Sequence, residues 1–253
     1  MRVDMVSLPV VVTDRTGRRI KDLEKGDFQV FENGIRQEIA GFAATDEPIN
    51  VALLLDTSGS TELKLAKIQN AAIGFVHQLH PDDEVAVLSF ADDVRLQQDF
   101  TIDRDRNEYG IKKTRTGAYT VLYEAVWLAL EEVLKPVQER KALVVFSDGV
   151  DTRSRTANMN ETLELSKETG STIYSVYFDT EMDQYGRSAK SALEWPPPPV
   201  ILSPYPPVQT GPAVSSPRYQ AGRKYLESIA ENSGGLLFDG MADLDYAFAE
   251  LAS

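Results

Sequence analysis

Cysteine is absent from the 253 residues of this chain, and histidine occurs only twice. Without cysteine the protein has no disulfide bond, no thiolate nucleophile and no zinc–thiolate site. No apolar run approaches the ~20 residues that span a bilayer, so the sequence predicts no membrane span in this chain. Basic residues are also scarce, with 26 against 39 acidic ones and a net charge of −13. Nucleic acids are bound through basic stripes, and this balance argues against such a partner.

The pattern of apolar and turn residues along the chain predicts a short β-rich element followed by a larger α/β domain. In residues 1–45, Asn33-Gly34 lies between two alternating segments, which predicts a β-hairpin because both positions tolerate a positive φ. In residues 46–253, continuous apolar runs alternate with segments of helical period. We therefore predict an α/β, Rossmann-like fold: a doubly wound, mostly parallel sheet with helices on both faces, preceded by the small β-rich N-terminal element.

The larger domain has predicted strands at residues 51–55, 84–90, 94–100, 142–146, 172–178 and 236–238. Its predicted helices cover residues 61–79, 121–134, 158–169, 219–232 and 241–251. A proline-rich insertion at about 184–217 interrupts this order, and proline favours extended backbone that lacks donors. We interpret the insertion as solvated, with a partner-docking loop as the alternative. We expect proteases to cut it early while the domain stays folded.

The segment Asp56-Thr57-Ser58-Gly59-Ser60 follows directly after the first buried strand of the larger domain. In doubly wound sheets, ligands bind outside the carboxyl ends of the strands, so this loop projects a carboxylate and two hydroxyls into a crevice. Oxygen ligands of this kind suit a hard cation such as Mg²⁺. Helix capping is the alternative interpretation, although it explains one of these residues rather than all of them.

The D-x-S-x-S pattern at Asp56, Ser58 and Ser60 resembles the first motif of the von Willebrand factor type A and integrin I domain family. In that family, a threonine from a second loop and an aspartate after a later strand complete a metal-ion-dependent adhesion site. Thr120, at the start of a predicted helix, and Asp148, after a predicted strand, stand at the matching places. All five family positions are therefore present in order.

The resemblance implies a role for each of these residues. Ser58, Ser60 and Thr120 would coordinate the ion directly, while Asp56 and Asp148 would act mostly through water. The ion would be Mg²⁺, or else Mn²⁺ or Ca²⁺, and its open coordination position would accept an aspartate or glutamate side chain of a partner protein. Such a module binds and does not catalyse, so we expect no enzymatic activity.

Two alternatives to these ligands remain open. Thr116 is a rival to Thr120. In the stretch Gly117-Ala118-Tyr119, the glycine lies farther from Thr120 than is usual in the family. His77 and His80 are spaced to share a metal, but polar groups are favoured near a helix end without one.

We do not expect the other acidic segments to bind a metal ion. Residues 103–107 begin like an EF-hand loop, but Glu108 and Thr114 stand where that loop requires glycine and glutamate. We interpret this stretch as a solvated loop. The clusters Asp82-Asp83-Glu84 and Asp92-Asp93 are interpreted as ordinary charged turns.

The N-terminal element carries a second resemblance. Val10-Val11-Val12-Thr13-Asp14 and Val30-Phe31-Glu32-Asn33-Gly34 resemble the leader before the A domain in a bacterial family typified by acidobacteria. The first residues do not have the pattern of a signal peptide. We expect an exported protein (periplasmic, cell-surface or secreted) whose signal has been removed, with a cytoplasmic protein as the alternative.

Two other functions are the alternatives to an adhesion module. An intracellular A domain linked to assembly or to a chaperone would use the same site on client proteins. A metal-dependent phosphohydrolase would need an aspartate nucleophile with an acid, or two clustered metals, and the sequence has neither pattern.

Overall fold

A computed structural model describes residues 23–41, 48–180 and 216–239, together with the single residues 10, 12 and 20. Its strands are β1 (Val30–Glu32), β2 (Ile35–Gln37), β3 (Asn50–Asp56), β4 (Glu84–Phe90), β5 (Val94–Thr101), β6 (Lys141–Ser147), β7 (Thr172–Tyr177) and β8 (Leu237–Asp239). Its α-helices are α1 (Leu65–Gln78), α2 (Arg104–Lys112), α3 (Leu122–Leu128), α4 (Met159–Glu168) and α5 (Pro217–Asn232). Short 3-10 turns lie at Lys25–Asp27 and Gly59–Thr61, and a π-helical turn at Ala129–Leu134.

The N-terminal hairpin is confirmed, because β1 and β2 pair antiparallel. The turn residues Asn33 and Gly34 have φ values of 51° and 80°. Both lie in the left-handed region that an Asn-Gly turn tolerates. Within residues 23–41, this hairpin forms a two-stranded sheet of its own.

The larger sheet has six strands in the order β5-β4-β3-β6-β7-β8. All neighbouring pairs run parallel except β4 and β5, which are antiparallel. From the central strand β3 the chain moves outward through β4 and β5, and then returns to the other side of β3 to form β6. The loops that follow β3 and β6 therefore border the topological switch point, where doubly wound sheets bind their ligands.

Two apolar layers cover the two faces of this sheet, as the predicted fold class requires. Val51, Leu53 and Leu55 of β3 belong to the layer that contains α1, whereas Ala52 and Leu54 belong to the layer that contains α3 and α5. All five side chains are at most 2% exposed. Burial on both faces explains why β3 reads as an uninterrupted apolar run, and it confirms the α/β doubly wound fold.

Helix α2 occupies residues that the sequence led us to interpret as a solvated loop, and that interpretation is wrong. The Asp103 carboxylate accepts hydrogen bonds from the backbone N–H groups of Asp105 and Arg106, both at 3.1 Å, and so caps the helix. On the inner face, Asn107 is buried and its Nδ2 donates to the carbonyl of Val85 at 2.8 Å. Helices are predicted from apolar residues that recur at helical spacing, and a polar residue on the inner face interrupts that recurrence.

The remaining predicted elements of the larger domain are confirmed where the structure describes them, with small differences at their ends. The predicted helix at 121–134 is present, but its second half is wound as the π-helical turn. The predicted helix at 241–251, most of the proline-rich insertion and much of the N-terminal element lie outside the described residues. The boundary between 1–45 and 46–253 stays a prediction. Among the described helices, none is long and apolar enough to cross a membrane.

Candidate metal centre

Asp56 is the last residue of β3 and is fully buried. Its Oδ1 accepts a hydrogen bond from the backbone N–H of Ser58 at 2.9 Å, which turns the following loop back over the strand end. Its Oδ2 accepts from the hydroxyl of Ser147, the last residue of β6, at 2.6 Å. One carboxylate therefore ties together the ends of the two strands that border the switch point.

Ser58, Ser60 and Asp148 form a chain of contacts across the same crevice. The Oγ atoms of Ser58 and Ser60 are 3.0 Å apart, and Ser60 Oγ donates to Asp148 Oδ2 at 2.9 Å. A hydroxyl has one hydrogen, so Ser60 accepts from Ser58 when it donates to the carboxylate. Asp148 Oδ1 accepts from the backbone N–H of Val150 at 3.0 Å. With Asp56, four of the five candidate residues lie in one hydrogen-bonded cluster.

Thr120, the fifth candidate, is buried in the loop before α3. Its N–H donates to Thr152 Oγ1 at 2.8 Å, and its carbonyl accepts from the N–H of Thr152 at 2.9 Å. These contacts tie Thr120 to the loop that carries Asp148. The threonine loop also reaches the serine loop, since the N–H of Gly117 donates to the carbonyl of Thr57 at 2.9 Å. All three loops therefore meet at the switch point.

Asp92 lies in the exposed turn between β4 and β5, as interpreted, and it also holds the threonine loop in place. Its Oδ2 accepts from the N–H of Ala118 and its Oδ1 from the N–H of Tyr119, both at 3.1 Å. A Cβ at Gly117 would lie 2.5 Å from Asp92 Oδ2, so the approach depends on glycine. The available signal was the position of Asp92, just beyond β4 at the same edge of the sheet.

Thr116 and the two histidines fit a metal centre less well than the five candidates. Thr116 is exposed, whereas Thr120 is buried. His77 Nε2 lies 3.3 Å from Glu108 Oε2, which links α1 to α2. In the part of the chain that the structure describes, no three His, Cys, Asp or Glu side chains are grouped to hold a metal ion. A cation at the switch point would thus depend on hydroxyl oxygens as well as carboxylates.

The two carboxylates of the cluster share a buried, electrostatically unfavourable position. Burial raises the pKa of Asp56 above its usual range, and the nearby carboxylate of Asp148 raises it further. Burial also raises the pKa of Asp148, although hydrogen bonds, the strongest from Thr180, lower it. A bound cation would relieve the repulsion between the two groups and compensate for their lost hydration.

The donor set fits a hard divalent cation. Hydroxyl and carboxylate oxygens are the ligands that Mg²⁺ prefers, and adjacent ligands of an octahedral Mg²⁺ lie about 3.0 Å apart when each is about 2.1 Å from the ion. Ser58 Oγ and Ser60 Oγ are separated by 3.0 Å. The pair is therefore spaced as two neighbouring ligands would be.

Residues 51–150 match the sequence model of the von Willebrand factor type A domain. This matched segment has the sequence pattern of a von Willebrand factor type A domain. The matched span begins in β3 and ends at Val150, so it includes all five candidate residues of the metal centre of this A domain. No curated protein sequence matches the chain.

Several solved structures share the fold of this A domain. BatB, a conserved hypothetical protein from Bacteroides thetaiotaomicron, is 20% identical with a TM-score of 0.54, over 80% of this chain and 97% of that one. The vWF domain of the type V pilus tip protein Mfa5 from Porphyromonas gingivalis is 12% identical with a TM-score of 0.56, over 81% and 94% of the two chains. Proximal thread matrix protein 1 from the mussel byssus, with a zinc-occupied metal-ion-dependent adhesion site, is 16% identical with a TM-score of 0.53, over 81% and 46%. At these identities the likeness establishes the fold alone.

Proposed function

We propose that this A domain is a divalent-cation-dependent protein-binding module. The hydroxyls of Ser58, Ser60 and Thr120 would hold the cation directly, and Asp56 and Asp148 would act mostly through water. The observation that carries the proposal is the hydrogen-bonded cluster of two buried carboxylates and two serine hydroxyls at the switch point. A buried pair of like charges is costly without a compensating cation.

The partner is proposed to present an aspartate or glutamate side chain. A cation held mainly by neutral hydroxyls keeps most of its charge, and when bound it supplies a Lewis-acid centre for one more oxygen ligand. The chain itself carries a net charge of −13, which disfavours a generally acidic partner. Selectivity would therefore rest on one well-placed carboxylate.

We propose that this site binds a partner without catalysing a reaction, and that the protein is exported. Two proteins that share the fold are a pilus tip protein and a byssus thread matrix protein, and the second has a zinc-occupied metal-ion-dependent adhesion site motif. These relatives favour an adhesion role for the present chain over an intracellular assembly role. Mg²⁺ is the cation we propose, with Mn²⁺ or Ca²⁺ as substitutes, because the donors are hydroxyl and carboxylate oxygens.

Millimolar Mg²⁺ or Mn²⁺ is expected to raise the melting temperature of the protein. A ligand that binds only the folded state adds about 2.7 kcal/mol at a hundredfold excess over Kd, or roughly 5–10 °C for a domain of this size. Asp148→Ala should stay folded and lose most of that rise. Thermal unfolding with and without metal, starting from EDTA-treated protein, measures both effects.

Glu164→Ala is the matched control for this experiment. It also removes one negative charge, but Glu164 is 70% exposed on α4 and pairs with Lys167 rather than with the centre. It should keep the full metal-dependent rise. If Asp148→Ala and Glu164→Ala respond to Mg²⁺ equally, general charge screening explains the effect and the proposed centre is wrong.

A further inference from the structure

Two buried hydroxyl groups outside the five-residue motif lie against the candidate centre. Thr180 follows β7 and is fully buried, and Tyr219, in the first turn of α5, is 6% exposed. Thr180 Oγ1 donates to Asp148 Oδ2 at 2.6 Å, and it lies 3.0 Å from the hydroxyl oxygen of Tyr219. The three side chains form a continuous line from α5 to the carboxylate.

The direction of this line follows from the number of hydrogens available. The threonine hydroxyl has a single hydrogen, and the carboxylate accepts it. Thr180 must therefore accept from Tyr219, whose hydroxyl becomes the donor. Each hydrogen bond in such a chain polarises the next, so Tyr219 strengthens the contact that Thr180 makes with Asp148.

Asp148 Oδ2 thus receives two hydroxyl hydrogens from opposite sides. Ser60 donates from the metal-binding loop at 2.9 Å, and Thr180 donates from the side of α5 at 2.6 Å. With Oδ1 held by the N–H of Val150 at 3.0 Å, the rotation of the carboxylate is restricted by contacts to both oxygens. Without Thr180, Ser60 alone would fix Oδ2.

We infer that Thr180 and Tyr219 are positioning residues for Asp148, and that they set the affinity of the cation centre. This inference rests on the proposed function, because it assumes that the cluster binds a cation. Groups that orient the ligands of a metal typically contribute 10–100-fold to its affinity. Neither residue belongs to the sequence motif, and both act on the ion only through Asp148.

A second tyrosine–threonine pair, whose tyrosine is also in α5, supplies a matched control. Tyr225 donates to Thr162 Oγ1 at 2.9 Å, and both residues are buried. Thr162 Oγ1 in turn donates to the carbonyl of Met159 at 3.0 Å, within α4. The two pairs have the same chemistry, and both tyrosines belong to α5. They differ in their endpoint, which is a backbone carbonyl in one case and Asp148 in the other.

The test is a titration of Mn²⁺ into the whole chain by calorimetry, combined with thermal unfolding in EDTA. Thr180→Val, which keeps the side-chain shape, is expected to weaken Mn²⁺ binding about 10–100-fold, and Tyr219→Phe to weaken it by a smaller factor. Thr180→Ser, which restores the hydroxyl, should bind as the wild type does. Thr162→Val and Tyr225→Phe should lower the melting temperature in EDTA without changing the Mn²⁺ affinity.

The double variant Thr180→Val, Tyr219→Phe tests whether Tyr219 acts through Thr180. If it does, Tyr219→Phe has no further effect on Mn²⁺ affinity once Thr180 is valine. Wild-type Mn²⁺ affinity in folded Thr180→Val would overturn the inference, and so would equal losses in Thr162→Val. Should Thr180→Val not fold, Tyr219→Phe decides, because it removes one oxygen and keeps the ring. Failure of the wild type to bind Mn²⁺ would instead refute the proposed function.

Discussion

Replacing Gly149 with alanine is expected to destabilise the A domain by more than about 4 kcal/mol, a loss that few single substitutions cause. Gly149 follows Asp148 and has a φ of +76°, a conformation that alanine adopts only with strain. An added Cβ would also lie 2.3 Å from the carbonyl oxygen of Gly222 in α5. Because that neighbour is backbone, the helix itself would have to move. Equilibrium unfolding in urea measures the loss.

Gly222→Ala tests the same approach from the helix side, where the φ angle is ordinary. In an exposed helix, alanine is favoured over glycine by about 1 kcal/mol. Here the new Cβ would lie 2.6 Å from the carbonyl carbon and oxygen of Gly149, so we expect a loss of several kcal/mol. Gly74→Ala, in α1 with nothing within 4 Å, is the matched control and should stabilise the protein. A gain from Gly222→Ala would mean that α5 does not pack on the metal loop.

The fold was predictable where burial left a simple pattern in the sequence. β3, β4 and β6 are covered on both faces, so each reads as a continuous apolar run. The order of these strands could not be read from the runs. It follows from the return of the chain to the far side of β3, which places the end of β6 beside Asp56. The resemblance to the A domain family was needed to connect Asp56 with Asp148.

The supporting residues of the centre had no comparable signal. Ser147 and Thr180 are single hydroxyls at strand ends, and such residues are common in any sequence. The same holds for Asp83, which lies before β4 at the opposite edge of the sheet from the centre. It belongs to a cluster that we interpreted as a charged turn, yet its carboxylate is buried and accepts from the N–H groups of Ile49 and His80 at 3.0 and 2.8 Å. A carboxylate that accepts hydrogen bonds from buried backbone N–H groups leaves neither a hydrophobic periodicity nor a motif in the sequence. Only the three-dimensional arrangement reveals it.

Selection of a random peptide library on the Mg²⁺-loaded protein is expected to enrich peptides that contain aspartate or glutamate. Their binding should vanish in EDTA, because the carboxylate would lose its contact with the ion. Changing the selected acidic residue to its amide should weaken binding roughly 30-fold or more, since loss of one partner of a buried charge contact costs about 2–5 kcal/mol. Surface plasmon resonance with and without EDTA measures each effect.

The threonine loop provides the control that assigns this binding to the candidate centre. Thr120→Ala removes a proposed direct ligand and should abolish peptide binding, whereas Thr116→Ala removes an exposed hydroxyl four residues earlier on the same loop and should leave it intact. The reverse result would make Thr116 the ligand. If the selected peptides bind equally well in EDTA and to Thr120→Ala, recognition uses another surface, and the N-terminal hairpin and the proline-rich insertion become the regions to test. In that case a bound cation should still raise the melting temperature, because the repulsion between the buried carboxylates of Asp56 and Asp148 does not depend on any partner.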